Sequence, residues 1–261
     1  MTQNASEREL RTEVVRYAKL LAAKDFAPGT SGNISARLDA RRVLITPSGI
    51  GKGDLRTEDL VVVDMGGRRL SGRHAPTSES AMHRMILRAR PDVQAVVHAH
   101  PATATGFACA GVALDQPLAS EFIQALGCAP LAPYGTPGTE ELPESLRGLV
   151  KDHDAILLAN HGVVTFGGDL FDAFAKMELV EHYARILLVV RQLKREQPLR
   201  EEEVVKLLEA RARYFGLDKP PERQPRCPTR GTGAAPVAAP AGKGASRRDL
   251  ERIIEEVLKK L

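Results

Sequence analysis

The chain has 261 residues, of which 43% are hydrophobic and 27% charged, and its formal net charge is +4. This is the composition of a globular protein, with a length that allows one large domain or two small ones. It does not indicate nucleic-acid binding, because basic and acidic residues are mixed through the first two hundred positions, and no segment approaches the ~20 apolar residues of a membrane span.

The predicted elements alternate between helix and strand. A helix is predicted over residues 6–24, where apolar residues recur with helical period, and a Gly-rich loop follows at 29–35. The next elements are strands over 34–38, 42–46 and 60–64, a helix from Thr77 or Ser78 to about residue 90, a strand over 93–100, a helix over 101–110, strands over 155–160 and 163–166, and helices over 169–196 and 200–214. This mixed order indicates an α/β layered fold.

Two changes in composition divide the chain into three predicted segments. Residues 1–216 carry the alternating pattern and are predicted to form the catalytic body. Residues 217–245 are rich in Pro, Gly and Ala and cannot bury enough apolar surface to offset their ordering entropy, so a flexible linker is predicted. Residues 246–261 return to helical periodicity and are predicted to form an amphipathic helix.

Three histidines lie where a metal ion can be bound. His98 and His100 occur in VVHAHP at the end of a predicted strand, and residues two apart on a strand point to the same face. His161 follows another apolar strand. Imidazoles suit Zn²⁺, and three neutral ligands leave a coordination position open for substrate. Taken singly, each histidine is also consistent with a solvated strand face or a capped core residue.

A carboxylate and two Gly-rich loops complete the candidate site. Glu79 follows two hydroxyl residues at the start of a predicted helix, where a carboxylate can also simply complement the helix dipole. The loop GTSGN at 29–33 and the turn ITPSG at 45–49 offer backbone N–H groups and hydroxyls, as phosphate-binding nests do. Each loop alone is weak evidence, but the combination indicates a catalytic site. His83, one turn beyond Glu79, is interpreted as a surface or structural residue.

These motifs, together with APYGTPGT at 132–139, resemble those of the class II aldolase/adducin family, and within it the L-fuculose-phosphate aldolases. The resemblance covers roughly residues 6–216. It implies a three-layer α/β/α fold with a central, largely antiparallel sheet. It also implies a homotetramer with the active site at the subunit interface.

The resemblance also implies roles for individual residues. His98, His100 and His161 would bind Zn²⁺ or another divalent transition metal, and Glu79 would ligate the resting metal or act as the acid/base group. The residues implied to hold the substrate phosphate are Gly32, Asn33, Ser48, Gly49, Thr77 and Ser78. Where the family has a tyrosine thought to assist protonation, an ungapped count places Glu121, which we consider a second proton donor. A further tyrosine of the family aligns with Phe215.

The activity implied is zinc-dependent retro-aldol cleavage of a ketose 1-phosphate, either L-fuculose 1-phosphate or L-rhamnulose 1-phosphate, to dihydroxyacetone phosphate and lactaldehyde. Related epimerases carry Asp at the position of Glu79, so the Glu favours aldol cleavage. The alternatives are a pentulose-phosphate epimerase, a sugar-acid-phosphate decarboxylase or a dehydratase of the same fold. A non-catalytic adducin-like scaffold is a further alternative, against which the intact set of metal ligands argues.

The C-terminal residues carry a separate prediction. From Leu250 to Leu261 the apolar residues form one stripe on a helix too short to be stable alone. A linker followed by such a helix resembles the encapsulation peptides of bacterial microcompartment cargo. We therefore expect residues 246–261 to bind a shell protein by helix-in-groove contact. Scattered cysteines and the lack of an apolar leader favour the cytoplasm, and within it a microcompartment.

Overall fold

The computed structural model describes residues 6–214, and their centre is an eight-stranded sheet. In chain order the strands are β1 (Asn33–Arg37), β2 (Arg42–Ile45), β3 (Val61–Asp64), β4 (Arg69–Ser71), β5 (Ala95–Ala99), β6 (Leu131–Ala132), β7 (Ala155–Leu158) and β8 (Gly162–Gly167). They lie in the order β4-β3-β2-β1-β5-β8-β7-β6. All neighbouring strands pair antiparallel except β6 and β7, which are parallel.

Helices cover both faces of this sheet. In chain order they are α1 (Glu7–Ala23), α2 (Ser80–Ala89), α3 (Ala102–Cys109), α4 (Ser120–Ala125), α5 (Glu141–Leu146), α6 (Leu170–Leu193) and α7 (Glu201–Tyr214). Side chains of α1, α3, α4 and α6 belong to one hydrophobic core, and those of α2 and α5 belong to the core on the opposite face. The predicted three-layer α/β/α fold with a largely antiparallel sheet is confirmed.

The first helix begins at a capping box. Ser6 Oγ accepts a hydrogen bond from the Glu9 N–H, and the Glu9 carboxylate accepts one from the Ser6 N–H. The helical spacing of Val14, Tyr17 and Leu21 then buries one face of α1 in the core.

The alternation of side chains along two central strands decides where the polar residues lie. In β5, Val96 packs in the core beneath α2, whereas Val97 packs in the opposite core. Successive strand side chains point to opposite faces, so His98 lies on the α2 side. The same alternation in β1 places Asn33 and Ser35 on that side, and Asn33 pairs with His98 across the two strands.

Every element predicted within residues 6–214 is present, with bounds that differ by a few residues. Five short elements were not predicted, namely β4, β6, α4, α5 and a 3-10 helix at Thr57–Asp59. Among the described residues, no helix is long and apolar enough to cross a membrane. Phe215, the predicted linker at 217–245 and the predicted helix at 246–261 lie outside the described residues.

Candidate metal and substrate site

Two neighbouring strand ends bring the predicted metal ligands together. His98 lies in β5, and His100 immediately follows the last residue of that strand. His161 occupies the turn between β7 and β8, where Asn160 adopts a left-handed φ of 56°. The turn packs tightly on the β5 end, since a Cβ added at Gly162 would lie 2.5 Å from His100 Cδ2. Because β8 pairs with β5, the three histidines meet at one point.

The three imidazoles form a compact cluster. Their candidate ligand nitrogens all lie within 4.8 Å of one another, and their ring centroids are 4.7–5.1 Å apart. His98 is fully buried, and His100 and His161 are partly buried. The structure thus unites the three histidines that the sequence singles out.

Hydrogen bonding and burial fix the protonation of this cluster. His98 Nδ1 lies 2.9 Å from the Val163 carbonyl oxygen, which can only accept, so Nδ1 carries the proton and Nε2 keeps its lone pair. Burial lowers the pKa of His98. Burial, with smaller effects from His98 and His161, lowers the pKa of His100 to about 3. His98 and His100 are therefore neutral near pH 7, the form in which imidazole binds a cation.

The arrangement of nitrogens fits a divalent transition-metal ion. His98 Nε2 and His100 Nε2 face each other at 3.0 Å. Two ligands held tetrahedrally at about 2.0–2.1 Å from one Zn²⁺ would lie roughly 3.3 Å apart. His161 Nδ1 is buried and has no hydrogen-bond partner among the described residues, which is unfavourable for a polar atom. Converging lone pairs and an unpartnered nitrogen are what a metal site requires.

Glu79 lies against the same cluster. It is the N-cap residue of α2, one position before the first helical turn in which we expected it. Its Oε2 lies 3.2 Å from His98 Nε2 and accepts a hydrogen bond of 2.7 Å from Asn33 Nδ2. Its Oε1 lies 3.1 Å from His161 Nε2 but accepts no well-aligned hydrogen bond.

The charge state of Glu79 follows from these neighbours. The side chain is nearly buried, and burial alone would raise its pKa. The adjacent His98, with smaller contributions from His161 and Asn33, outweighs burial and holds the pKa of Glu79 well below its usual range. An anionic carboxylate therefore faces the imidazole cluster at neutral pH.

The residues predicted to hold the substrate phosphate come from three loops that meet beside the cluster. Asn33 and Thr77 are buried and are joined by a hydrogen bond of 3.1 Å from Asn33 Nδ2 to Thr77 Oγ1. The turn at Ser48 is tied to the segment before Thr77, because the Ser48 N–H donates to the Ala75 carbonyl oxygen. The members exposed to solvent, which a ligand can reach directly, are Ser48, Gly49 and Ser78.

Two further contacts fix these loops. Gly32 has a φ of 71°, and a Cβ added there would lie 3.0 Å from the His98 carbonyl oxygen, so the first loop rests directly on the metal-ligand strand. Lys52 is buried, and its ammonium donates to the carbonyl oxygens of Thr30 at 3.1 Å and Ile50 at 2.9 Å. Lys52 thereby joins the two Gly-rich loops. Burial lowers the pKa of Lys52 to about 8.

Residues 12–188 match the class II aldolase and adducin N-terminal domain. The chain belongs to the class II aldolase and adducin family. It is 34% identical to 3-oxo-tetronate 4-phosphate decarboxylase of Haemophilus influenzae over 182 residues, which are 68% of this chain and 86% of that protein. It is 33% identical to 5-deoxy-D-ribulose 1-phosphate aldolase of Bacillus thuringiensis over 199 residues, or 76% of this chain and 92% of that one.

A solved structure of this family has the same fold. The L-fuculose 1-phosphate aldolase structure matches with a TM-score of 0.73 and 32% sequence identity, covering 82% of this chain and 100% of that chain. Together with the two sequence relatives, it confirms the predicted family and the predicted class of enzyme, a carbon–carbon lyase. Class II aldolases are typically metal-dependent, and the three-histidine cluster provides the ligands such an enzyme needs.

Class II aldolase motifs do not account for every polar residue of the site. His83, interpreted from the sequence as a surface or structural residue, is not on the surface: it is fully buried. Its Nε2 lies 2.5 Å from Asn33 Oδ1, which places it in the hydrogen-bonded network of the site. The signal available in the sequence was its position four residues after Glu79. Lys52 was also missed, because a lysine in a Gly-rich turn is usually solvated.

Glu121, the predicted second proton donor, is not among the described residues that contact the histidine cluster. It is an exposed residue in the first turn of α4, and none of the hydrogen bonds and ion pairs found within residues 6–214 joins it to the histidine cluster. Its catalytic role stays a prediction.

Proposed function

We propose that the chain is a zinc-dependent lyase that cleaves a ketose 1-phosphate by a retro-aldol reaction. With L-fuculose 1-phosphate or L-rhamnulose 1-phosphate the products are dihydroxyacetone phosphate and lactaldehyde. The observation that carries the proposal is the contact of one buried carboxylate, Glu79, with both an imidazole cluster and the amide of a phosphate loop. A metal site, a proton carrier and an anion-binding pocket are thereby adjacent.

The metal ligands proposed are His98, His100 and His161, with Glu79 as an additional ligand in the resting enzyme. Imidazole nitrogens with one carboxylate form a donor set that Zn²⁺ accepts readily, as other divalent transition metals also do. When bound, such an ion would act as a Lewis acid and stabilise the negative charge that develops on the substrate oxygens as the carbon–carbon bond breaks.

The phosphate group is proposed to bind where the three loops meet. Ser48 and Ser78 are exposed residues with hydroxyl groups, and Gly49 is exposed, with a φ of 75° and open space where a Cβ would lie. Backbone N–H groups in such turns form concave sites for anions. The other proposed members are Gly32, Asn33 and Thr77. Anchoring the phosphate there orients the rest of the substrate toward the imidazole cluster.

Glu79 is proposed to carry the proton. Its carboxylate is anionic at rest and contacts the histidines, so it can take the proton that the substrate's C4 hydroxyl loses as the C3–C4 bond breaks and deliver it to C3. Glu121 remains a candidate for proton transfer on the aldehyde side, should substrate reach α4.

Glu79→Gln tests this role, because it keeps the size of the side chain and removes its ability to hold a proton. We expect kcat to fall by about 10² to 10⁴-fold. Metal content, measured alongside turnover, separates loss of the proton carrier from loss of the metal. Glu178→Gln is the matched control, since Glu178 pairs with Lys24 on the surface and lies outside the site. Full activity of Glu79→Gln would refute the assignment.

A second candidate reaction is decarboxylation of a sugar-acid phosphate. It is favoured by the similarity to 3-oxo-tetronate 4-phosphate decarboxylase, which is as high as the similarity to the aldolases. Both reactions break a carbon–carbon bond beside an oxygen-bearing carbon, so the same constellation of groups serves either. The two are distinguished by product analysis with L-fuculose, L-rhamnulose and 5-deoxy-D-ribulose 1-phosphates and 3-oxo-tetronate 4-phosphate. Release of dihydroxyacetone phosphate identifies an aldolase, and release of CO₂ identifies a decarboxylase.

Assembly and location are part of the proposal as well. We propose a homotetramer whose active site lies at the subunit interface, and packaging in a bacterial microcompartment through residues 246–261. The support for packaging is the amphipathic pattern of that segment and the volatile, reactive aldehyde that the proposed reaction forms. Light scattering reports the number of subunits. Deleting residues 246–261 should abolish co-purification with shell protein without changing kcat, and unchanged packaging would refute the targeting role.

A further inference from the structure

A buried hydrogen-bonded chain leads from the core of the protein to Glu79. His83 is fully buried on α2, and both of its ring nitrogens have a partner on β1. Nδ1 lies 2.7 Å from Ser35 Oγ, and Nε2 lies 2.5 Å from Asn33 Oδ1. An amide oxygen can only accept, so Nε2 carries the proton and Nδ1 accepts from the Ser35 hydroxyl. The ring is held neutral in a single tautomer, which agrees with the effect of burial in lowering the pKa of His83 to about 3.

Both polar groups of the Asn33 amide form hydrogen bonds. Its oxygen accepts from His83, and its NH₂ group donates to Thr77 Oγ1 at 3.1 Å and to Glu79 Oε2 at 2.7 Å. The two ends of an amide differ in polarity, so a half-turn of the side chain would set the amide oxygen against the Glu79 carboxylate. Two acceptors would then face each other in a buried site, which is strongly unfavourable.

We infer that His83 is a positioning residue for the proposed reaction, and that it acts by locking the amide of Asn33 with its NH₂ group toward Glu79 and Thr77. The inference rests on the proposed roles of Glu79 as proton carrier and Thr77 as phosphate ligand. Among the described residues, His83 supplies the only hydrogen bond that Asn33 Oδ1 receives, so His83 fixes the oxygen end of the amide while Glu79 and Thr77 fix the NH₂ end. In the series Ser35, His83, Asn33 and Glu79, each residue donates its hydrogen bond to the next one, so the series ends at the Glu79 carboxylate.

Without the His83 donor, Asn33 Oδ1 is left buried without its hydrogen bond, and the amide that holds Glu79 near the histidines is fixed only at its NH₂ end. Groups that orient ligands and catalytic side chains through such contacts typically contribute about 10- to 100-fold to activity. Since His83 touches neither an imidazole nor the exposed phosphate loops, the effect is expected mainly in kcat, with a smaller change in KM.

The test compares two substitutions of His83 by neutral amides whose side chains differ in length. His83→Gln extends an N–H group toward the position of Nε2, whereas the side chain of His83→Asn is too short to reach Asn33. We expect kcat to fall by about 10- to 100-fold in His83→Asn and to recover most of its value in His83→Gln. In an Asn33→Ala background, His83→Asn should cause no further loss, since the residue through which it acts is gone.

Several results would overturn the inference. These are a kcat of His83→Asn within about two-fold of the wild type, equal losses in His83→Gln and His83→Asn, or losses of His83→Asn and Asn33→Ala that multiply in the double variant. Urea denaturation of each variant shows whether a lower kcat results from unfolding, and metal analysis shows whether it results from loss of the bound metal.

A spectroscopic measurement tests the inference independently of turnover. The ¹⁵N chemical shifts of the His83 ring in the wild-type protein, assigned by their loss in His83→Gln, report which nitrogen carries the proton. We expect the Nε2–H tautomer at pH 7, and the Nδ1–H tautomer or a charged ring would refute the proposed locking. If the wild type cleaves none of the phosphorylated sugars, the proposed function fails while this measurement still decides the role of His83 toward Asn33.

Discussion

Lys52 offers a quantitative test of the structure, because its ammonium is buried and its only hydrogen-bond partners within residues 6–214 are two backbone carbonyl oxygens. Burial lowers the pKa of Lys52 from its ordinary value of 10.5 to about 8. Between these two pH values the unfolded chain holds the proton and the folded protein does not. Stability must therefore rise with pH across this window, because the unfolded state binds more protons.

The size of this rise follows from the two pKa values. Between pH 7 and pH 10 the linkage contributes roughly 2 to 3 kcal/mol to the free energy of unfolding. Lys52→Met removes the titrating group and keeps an unbranched apolar side chain of similar length. The free energy of unfolding of the wild type, taken relative to that of Lys52→Met, should increase by this amount over the same range.

Urea denaturation followed by circular dichroism at pH 7, 8, 9 and 10 measures this difference. Lys19→Met, which removes an exposed ammonium from α1, supplies the reference for losing one positive charge. A difference between wild type and Lys52→Met that stays constant from pH 7 to pH 10 would refute the reasoning. It would mean that the ammonium is solvated or has a partner that the fold does not reveal.

Two further predictions concern the metal site and the body of the fold. Gly162→Ala places a Cβ against the His100 ring and should lower metal affinity about ten-fold or more, measured by competition with a chelator. Gly168→Ala, where the added Cβ meets nothing within 4 Å, is the control, and equal affinities in the two variants would contradict the packing. Arg90→Met removes the buried guanidinium that pairs with the partly buried Asp154 carboxylate and should lower the free energy of unfolding by about 3 kcal/mol in urea denaturation. A decrease in the free energy of unfolding below about 1 kcal/mol would show that the ion pair between Arg90 and Asp154 contributes little to stability.

Much of the site could be predicted from the sequence because its signals are local. The H-x-H spacing is enough to place two imidazoles on one face of a strand, and Gly with hydroxyl residues is enough to indicate an anion-binding turn. The same holds for the long elements such as α1 and α6, whose apolar residues recur with helical period. His161 was named from its position at a strand end, but only the pairing of β5 with β8 explains why it meets His98.

The short strands at the edges of the sheet could not be predicted from local sequence patterns. β4 and β6 have three and two residues, and the residues of β4 are all exposed. Such segments have too little apolar periodicity to be recognised, and they become strands only because a neighbouring strand offers its hydrogen-bonding edge.

Residue types and their local spacing thus predicted the family, the longer helices and strands of the body, and the three histidines that cluster at the candidate metal site. Only the tertiary structure revealed the burial and the hydrogen-bond partners of His83 and Lys52. The partners of His83 lie 48 and 50 residues away on β1, and one partner of Lys52 lies 22 residues away in another loop. A histidine on an amphipathic helix and a lysine in a Gly-rich turn look the same in sequence whether they face water or the core. Their burial depends on which backbone and side-chain atoms the fold brings against them.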